Sequence, residues 1–127
     1  MKKKEIKVTS KKLKSLSVKE KESKDVCGIG KQYLKSRPVC KVTFRLPKEA
    51  APFAQSVALV GDFNGWDENA TPMKILKNGS CTVCIELETN NQYRYRFLID
   101  GDFWENDWNA DKYEPNLFGG DDSVVII

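Results

Sequence analysis

The stretch Val57-Ala58-Leu59-Val60-Gly61-Asp62-Phe63-Asn64-Gly65-Trp66 decides how this chain folds. It begins as a continuous apolar run, which is typical of a strand that is buried on both faces. It then reaches Asn64-Gly65, a dipeptide that tolerates positive φ and therefore predicts a sharp turn. Trp66 follows at once, so the turn should hold a large flat ring at the edge of a rigid scaffold. Either Trp66 packs into the core, or it stands at the surface as a binding platform.

Outward from this stretch, apolar residues alternate with polar ones, which indicates half-buried strands. Besides Val57–Gly61, the predicted strands are 39–46, 72–77, 80–87, 92–99, 103–104 and 123–127. Turn signals separate them, among them Asn78-Gly79 and Asp100-Gly101, and no segment after residue 38 has convincing helical periodicity. The predicted fold class is therefore all-β: an immunoglobulin-like antiparallel β-sandwich of about seven short strands.

The N-terminal part of the chain differs from the rest in composition. Residues 1–37 carry 13 Lys and Arg against 4 Asp and Glu, whereas residues 38–127 carry 8 against 14. Residues 1–25 are rich in Lys and Ser and have too few apolar residues to offset the entropy of ordering. We therefore predict a flexible basic arm and linker at 1–37, with 31–37 compatible with a helical turn, and one β-sandwich domain at 38–127.

Charge and hydropathy exclude several classes of function. The acidic domain argues against nucleic-acid binding, so only the basic arm could contact RNA, ribosomes or anionic lipid, and a solvated tail is the simpler interpretation. No apolar run approaches membrane-spanning length, and the basic N-terminus lacks the apolar segment of a secretory signal. We expect no membrane partner and a cytoplasmic location.

The pair Cys81 and Cys84 has the spacing of a metal or redox motif. Residues three apart on a strand face opposite sides, so Cys81 should point inward and Cys84 outward. Because such a pair fits neither a disulfide nor a shared zinc without a bulge, and the sequence contains no histidine, we predict no metal site and no cofactor. Cys40 and Cys81 are most simply small core residues in a reducing compartment.

An acidic group follows the predicted strand 92–99. Its carboxylates are Asp100, Asp102, Glu105, Asp107 and Asp111. Their spacing does not match a calcium loop, and a domain of this size has little material for the cleft that a glycosidase pair requires. We interpret them as solvated turn residues. With no nucleophile–base pair either, the chain is not expected to be an enzyme.

Four features should lie on one side of the sandwich. Trp66 follows its turn, Arg96 lies on the polar face of its strand, Trp104 follows the Asp100-Gly101 turn, and the loop 118–123 enters the last strand. The C–H-rich face of a glucose ring packs well on an indole, which offers a large and rigid apolar area. Arginine donors and carboxylate or amide acceptors satisfy sugar hydroxyls. The set therefore suits a sugar.

The same segments carry a resemblance to a known family. They are 61–66 (Gly-Asp-Phe-Asn-Gly-Trp), 95–101 (Tyr-Arg-Phe-Leu-Ile-Asp-Gly), 109–116 (Asn-Ala-Asp-Lys-Tyr-Glu-Pro-Asn) and 118–124 (Phe-Gly-Gly-Asp-Asp-Ser-Val). In order and spacing they resemble the family-48 carbohydrate-binding module. That family includes the early-set domains of isoamylase-like and glycogen-branching enzymes and the glycogen-binding domain of the AMP-activated protein kinase β subunit. The resemblance covers about residues 38–127.

The resemblance implies a non-catalytic module that binds α-1,4-glucan, such as glycogen, starch or a maltooligosaccharide. In the kinase-type domains two tryptophans, a basic residue and the loop before the last strand bind the sugar. By position, Trp66 and Trp104 match the tryptophans and Arg96 the basic residue. Phe118 and Asp122 occupy loop positions where the kinase domain has leucine and asparagine, which is a departure from its pattern.

Two further aromatic residues, Trp108 and Tyr113, are expected to be structural, with Trp108 an anchor and Tyr113 packed. The alternative function is an interaction scaffold: the same fold, without sugar binding, that docks a partner such as a glycogen-metabolising enzyme or a kinase. Sugar binding requires Trp66 and Trp104 exposed on one surface, whereas the scaffold permits them to be buried or dispersed.

Overall fold

The structure is a computed structural model, and it describes residues 28–127. These residues form nine strands: β1 (Gly30–Tyr33), β2 (Val39–Leu46), β3 (Val57–Gly61), β4 (Lys74–Ile75), β5 (Cys81–Glu88), β6 (Gln92–Ile99), β7 (Phe103–Glu105), β8 (Lys112–Pro115) and β9 (Asp121–Ile126). Two single turns of 3-10 helix, Lys48–Ala50 and Asp62–Asn64, complete the regular structure of the described part. Most of the predicted basic arm, residues 1–27, lies outside the described residues.

The strands form two antiparallel sheets. The first sheet has the order β1-β2-β5-β4, and the second has the order β3-β6-β9-β8, with β7 paired to the end of β6. In the second sheet β6 is central, because β3 lies along one edge while β9 and β7 share the other. The predicted all-β sandwich is confirmed.

The core lies between the sheets and is built from the predicted inward positions. All four inward residues of β2 are fully buried: Cys40, Val42, Phe44 and Leu46. Phe44 meets Tyr95 of β6 edge to face, with ring centroids 4.9 Å apart, an arrangement that stabilises by about 0.5–1.5 kcal/mol beyond area burial. Strand alternation also places Cys81 inside and Cys84 outside, as predicted.

The outer face of the second sheet, which points away from the first sheet, carries buried apolar side chains as well as exposed ones. Directly opposite residues share a face, and Arg96 lies opposite Val60 while Leu98 lies opposite both Ala58 and Trp104. Val60, Leu98 and Val124 are buried, yet they do not belong to the core between the sheets. We call these three residues the apolar floor of the outer face, because they are buried beneath its exposed side chains.

Two strands, β1 and β8, were not predicted from the sequence. The segment 31–37 is compatible with a helical turn, but β1 pairs with β2 from Gly30↔Thr43 to Tyr33↔Cys40. An extended conformation is favoured for this segment because the segment then pairs with the edge of β2. It also lets Lys31 Nζ reach Asp111 Oδ2 at 2.8 Å. The sandwich therefore includes residues before 38. By contrast, β4 is shorter than the predicted strand 72–77.

Candidate functional site

Arg96 lies at the centre of the outer face of the second sheet. Its Nη2 and Nε donate to the main-chain oxygen of Asp121 at 2.8 and 3.2 Å. Its Nε also lies 3.5 Å from Asp122 Oδ1, and the side chain is about one-quarter exposed. These contacts hold the guanidinium in one orientation while part of it still faces solvent.

Trp104 lies on the same face as Arg96. It stands on β7 opposite Leu98, and Leu98 is two residues from Arg96 along β6. Residues two apart on a strand point the same way at a separation of about 7 Å. The residue is 41% exposed. The structure therefore brings the predicted tryptophan and the predicted arginine onto one surface, above the apolar floor.

Trp66 is half-buried and has a left-handed backbone, with φ of 59°. Its indole Nε1 donates to Asp62 Oδ1 at 2.9 Å, and Asp62 Oδ2 accepts from the main-chain N of Arg94 at 2.8 Å. One carboxylate thus joins Trp66 to strand β6, near the end of the outer face. The strained φ of a non-glycine residue fits a side chain held in a set position.

The turn before Trp66 is organised by Asn64. Its Oδ1 accepts from Gly61 N at 3.1 Å, and its Nδ2 donates to Leu59 O at 2.9 Å and to Thr71 Oγ1 at 3.0 Å. The predicted sharp turn is present, with its positive φ values at Gly65 and Trp66. The ring of Phe63, which precedes Asn64, packs against the core. The turn therefore leads from a ring packed against the core to the half-buried indole of Trp66.

The loop between β8 and β9 carries Phe118. Leu117 and Phe118 are 98% and 94% exposed. The loop is closed at its base by Asn116, whose Oδ1 accepts from Phe118 N at 2.8 Å and from Gly120 N at 3.2 Å. A Cβ on Gly120 would lie 3.3 Å from Arg96 Nη2, so the loop approaches the arginine closely. Sequence reasoning missed Leu117, although an apolar pair between Asn116 and two glycines signals an exposed tip.

Asp122 is buried, unlike the other predicted site residues. Its Oδ2 accepts from Arg94 Nη1 at 3.2 Å, and its Oδ1 accepts from Asn116 Nδ2 at 3.1 Å. With Arg96 Nε 3.5 Å away as well, its oxygens are directed at protein groups. Direct contact with a ligand stays a prediction, and the geometry favours a role in positioning Arg96 and the loop.

A buried polar network lies beneath the site. Tyr95 Oη donates to Asp107 Oδ2 at 2.7 Å, and Asp107 N donates to Ser123 Oγ at 2.8 Å. Ser123 Oγ donates to Asn106 Oδ1 at 2.8 Å, and Asn106 Nδ2 donates to Asp121 O at 2.9 Å. That oxygen is also the acceptor of Arg96, so the network extends from the core to the outer face.

The placement of Asp107 corrects an expectation. The sequence favours solvated turn residues for the acidic group, but Asp107 is only 2% exposed. Burial raises the pKa of its carboxyl, while hydrogen bonds from Tyr95 and from the main-chain N of Asn109 lower it in part. Asp107 is therefore a structural group that fixes the segment after β7.

Tyr113 was expected to be packed but is 45% exposed, and Trp108, which was expected to be a structural anchor, is 53% exposed. Trp108 Nε1 donates to Glu105 Oε2 at 3.1 Å, and Tyr113 Oη donates to the main-chain oxygen of Asp107. Both rings are held by hydrogen bonds while their faces remain open.

The described residues limit the chemistry of the site. Within 28–127, no group of three or more His, Cys, Asp or Glu side chains is arranged to hold a metal ion. That same part of the chain contains no helix with the length and apolar character needed to cross a membrane. What the outer face offers is an exposed indole, a fixed guanidinium and an apolar loop tip.

Comparison with known proteins identifies a family that matches this chain. The family model for carbohydrate-binding module 48 (isoamylase N-terminal domain) matches residues 37–114. The match includes Trp66, Arg96 and Trp104, and it ends before Phe118 and Asp122.

Curated relatives are similar over about half of the chain. The chain is 38% identical over 71 residues to the 1,4-alpha-glucan branching enzyme GlgB of Aquifex aeolicus, which is 54% of this chain and 10% of that enzyme. It is 41% identical over 63 residues to the GlgB enzyme of Butyrivibrio fibrisolvens, which is 50% of this chain and 10% of that enzyme. The chain thus spans about a tenth of the length of these relatives. By the family model, which matches more than half of its residues, the chain belongs to the carbohydrate-binding module 48 family.

Proposed function

We propose that this chain is a non-catalytic module that binds α-1,4-glucan on the outer face of its second sheet. The observation that carries the proposal is the placement of Trp104 and Arg96 on one face, above a buried apolar floor. Membership of a carbohydrate-binding family supports the ligand class, and the name of the branching enzymes supports the α-1,4 linkage. Glycogen, starch or maltooligosaccharides are the proposed ligands.

The proposed binding mode uses five side chains. A glucose ring stacks on the exposed indole of Trp104, where its C–H face replaces water on a rigid apolar surface. The guanidinium of Arg96 donates to ring hydroxyls, and its contacts with Asp121 O and Asp122 preorganise it. Phe118 contributes apolar contact from the loop tip, and Asp122 positions the loop. Trp66 adds a second indole near the end of β6, although it is half-buried and so meets the requirement for two exposed tryptophans only in part.

Isothermal titration with maltoheptaose tests the proposal. Trp104→Ala should weaken binding about fivefold or more, because an indole face contributes on the order of 1 kcal/mol to a stacked contact. The matched control is Tyr33→Ala, since Tyr33 is exposed on the first sheet, away from the outer face of the second. Circular dichroism should show that both variants are folded. Equal affinities of wild type and Trp104→Ala would contradict the proposed site.

A scaffold that docks a protein partner is the second candidate. It is favoured by two strongly exposed rings at one end of the sandwich, Phe53 and Phe103, which are 91% and 67% exposed. Both lie near Asp100, whose Oδ1 accepts from the main-chain N atoms of Gln55 and Ser56. The absence of any binding of maltoheptaose or glycogen by the folded protein would favour this candidate. The cytoplasmic location, the lack of enzymatic activity and a kinase or metabolic enzyme as partner stay predictions.

A further inference from the structure

We propose that Trp108 and Tyr113 form a second α-glucan contact, on the opposite side of the second sheet from Trp104 and Arg96. The ligand class rests on the proposed function, but the contact is a separate one. It follows from the exposure of two rings that neither the core nor the first site uses.

Strand register places the two contacts on opposite sides. Trp104 lies opposite Leu98 on the outer face, whereas the next residue, Glu105, lies opposite Phe97 of the core. The indole of Trp108 is bonded to Glu105 and therefore lies on that inner side. Tyr113 lies opposite Ser123, which in turn lies opposite the core residue Tyr95, so it belongs to the inner side as well.

Both rings are held before any ligand arrives. Glu105 fixes the indole of Trp108, and the main-chain oxygen of Asp107 accepts from Tyr113 Oη. Asp107 itself is buried, and its carboxylate accepts from Tyr95 Oη and from Asn109 N. Because these bonds restrict the segment, stacking on its rings costs little conformational entropy.

The surroundings of the rings favour a neutral sugar over other ligands. The neighbouring side chains are polar: Glu105 is half-buried, and Asn109 and Asp111 are exposed. Aromatic rings with a few hydroxyl, amide or carboxylate groups at their rim match the alternating C–H and O–H surface of a glucose unit. The Glu105 carboxylate disfavours phosphate-bearing ligands, whereas Asp111 is paired with Lys31.

Two contacts on opposite sides of the sheet allow the module to bind a polymer more tightly than it binds an oligosaccharide. A short oligosaccharide occupies either contact singly, whereas separate chains or branches of one glucan particle can occupy both. The second event then occurs at a raised effective concentration, so affinity for the polymer exceeds that for the oligosaccharide. Trp108→Ala should therefore weaken glycogen binding several-fold more than it weakens maltoheptaose binding.

Indole signals in a ¹H–¹⁵N spectrum test the second contact directly, because the full chain has only three tryptophans. Trp→Phe variants assign the three indole N–H peaks, and the full-length protein is titrated with maltoheptaose. The critical sample is Trp104→Ala, in which the first contact is weakened. The proposal predicts a saturable shift of the Trp108 peak in wild type and again in Trp104→Ala.

Each result of this titration supports or contradicts one or both of the proposed contacts. Shifts confined to the Trp66 and Trp104 peaks overturn the second contact and leave the proposed function intact. A Trp108 shift that disappears in Trp104→Ala also overturns it, because the effect is then transmitted from the first site. A shift of Trp108 alone supports the second contact and contradicts the first. No shift of any peak at millimolar sugar contradicts both.

Discussion

The main-chain oxygen of Asp121 accepts from Arg96 Nη2 at 2.8 Å and from Arg96 Nε at 3.2 Å. Asn106, the first residue after β7, donates its Nδ2 hydrogen to the same oxygen at 2.9 Å. Since Asn106 also accepts from the buried Ser123 hydroxyl, the position of Arg96 is linked to the core. Arg96 is therefore oriented by buried groups as well as by its exposed neighbours.

The first prediction concerns Asn106. Asn106→Ala leaves the fully buried hydroxyl of Ser123 without its acceptor, which should lower the free energy of unfolding by roughly 1–3 kcal/mol. It should also weaken maltoheptaose binding, because Asp121 O loses one of the donors that fix it. Urea denaturation and isothermal titration measure the two effects. The control is Asn91→Ala, whose amide donates only to Thr89 O in an exposed turn; equal losses in the two variants would contradict the linkage.

The second prediction concerns the buried pair Tyr95 and Asp107. Tyr95→Phe removes the donor 2.7 Å from the Asp107 carboxylate and should cost about 1–3 kcal/mol of the free energy of unfolding. Tyr93→Phe is the matched control, because its hydroxyl donates to Glu88 O in an exposed position. Guanidinium denaturation compares the two variants. If Tyr93→Phe loses as much free energy of unfolding as Tyr95→Phe, the buried hydrogen bond contributes no more to stability than the exposed one.

The third prediction is a pH dependence. Burial raises the pKa of Asp107 above its ordinary value in the unfolded chain. The folded state therefore binds the proton more tightly, and this contribution to stability is full below the unfolded pKa and is lost as pH rises through the folded pKa. Asp107→Asn cannot titrate. The free energy of unfolding of wild type, minus that of the variant, should thus be largest at acid pH and should fall as pH rises to 7.

Denaturation curves for both proteins between pH 3 and 7 measure this difference. Other carboxylates titrate in both proteins and cancel in the comparison. If wild type instead gains stability relative to Asp107→Asn as pH rises, the hydrogen bonds from Tyr95 and Asn109 lower the pKa of Asp107 more than burial raises it.

The fourth prediction concerns Gly61, the last residue of β3. A Cβ there would lie 2.4 Å from Arg94 O and 2.7 Å from Tyr95 Cβ. Gly61→Ala should therefore displace β6 and lower the free energy of unfolding by about 1–3 kcal/mol or more. Gly30→Ala is the control, because its Cβ would meet Thr43 Cβ at an ordinary 3.4 Å. Thermal or urea unfolding ranks the two, and an undisturbed Gly61→Ala protein would contradict the close approach.

Much of the fold was predictable because burial leaves a period of two in the sequence. In β2 and β5 every second residue faces the core, and both strands were placed to within a residue of their bounds. The pattern fails for β1, since Lys31, Gln32 and Tyr33 are all exposed and no alternation marks the strand. It also fails for β8, where half-buried and exposed residues alternate without a run of apolar side chains.

The candidate site was predictable only in part, for a different reason. Arg96 could be assigned to the polar face of β6, and Trp104 to the strand after the turn, from local pattern alone. The burial of Asp107 could not, because it depends on Tyr95 and Ser123, which lie on other strands. The same holds for Asp122, whose partners come from β6 and from the loop before β9. A single sequence contains no direct sign of such non-local pairing.

The most direct measurement is a titration of backbone amide shifts with maltoheptaose and with β-cyclodextrin. Binding at the outer face of the second sheet predicts saturable shifts clustered around Trp104, Arg96 and the 117–120 loop, with Trp66 at the edge of the cluster. Trp104→Ala should weaken them while the rest of the spectrum shows a folded protein. Saturable shifts confined to the first sheet, or no shifts with either sugar at millimolar concentration, would contradict the proposed glucan site.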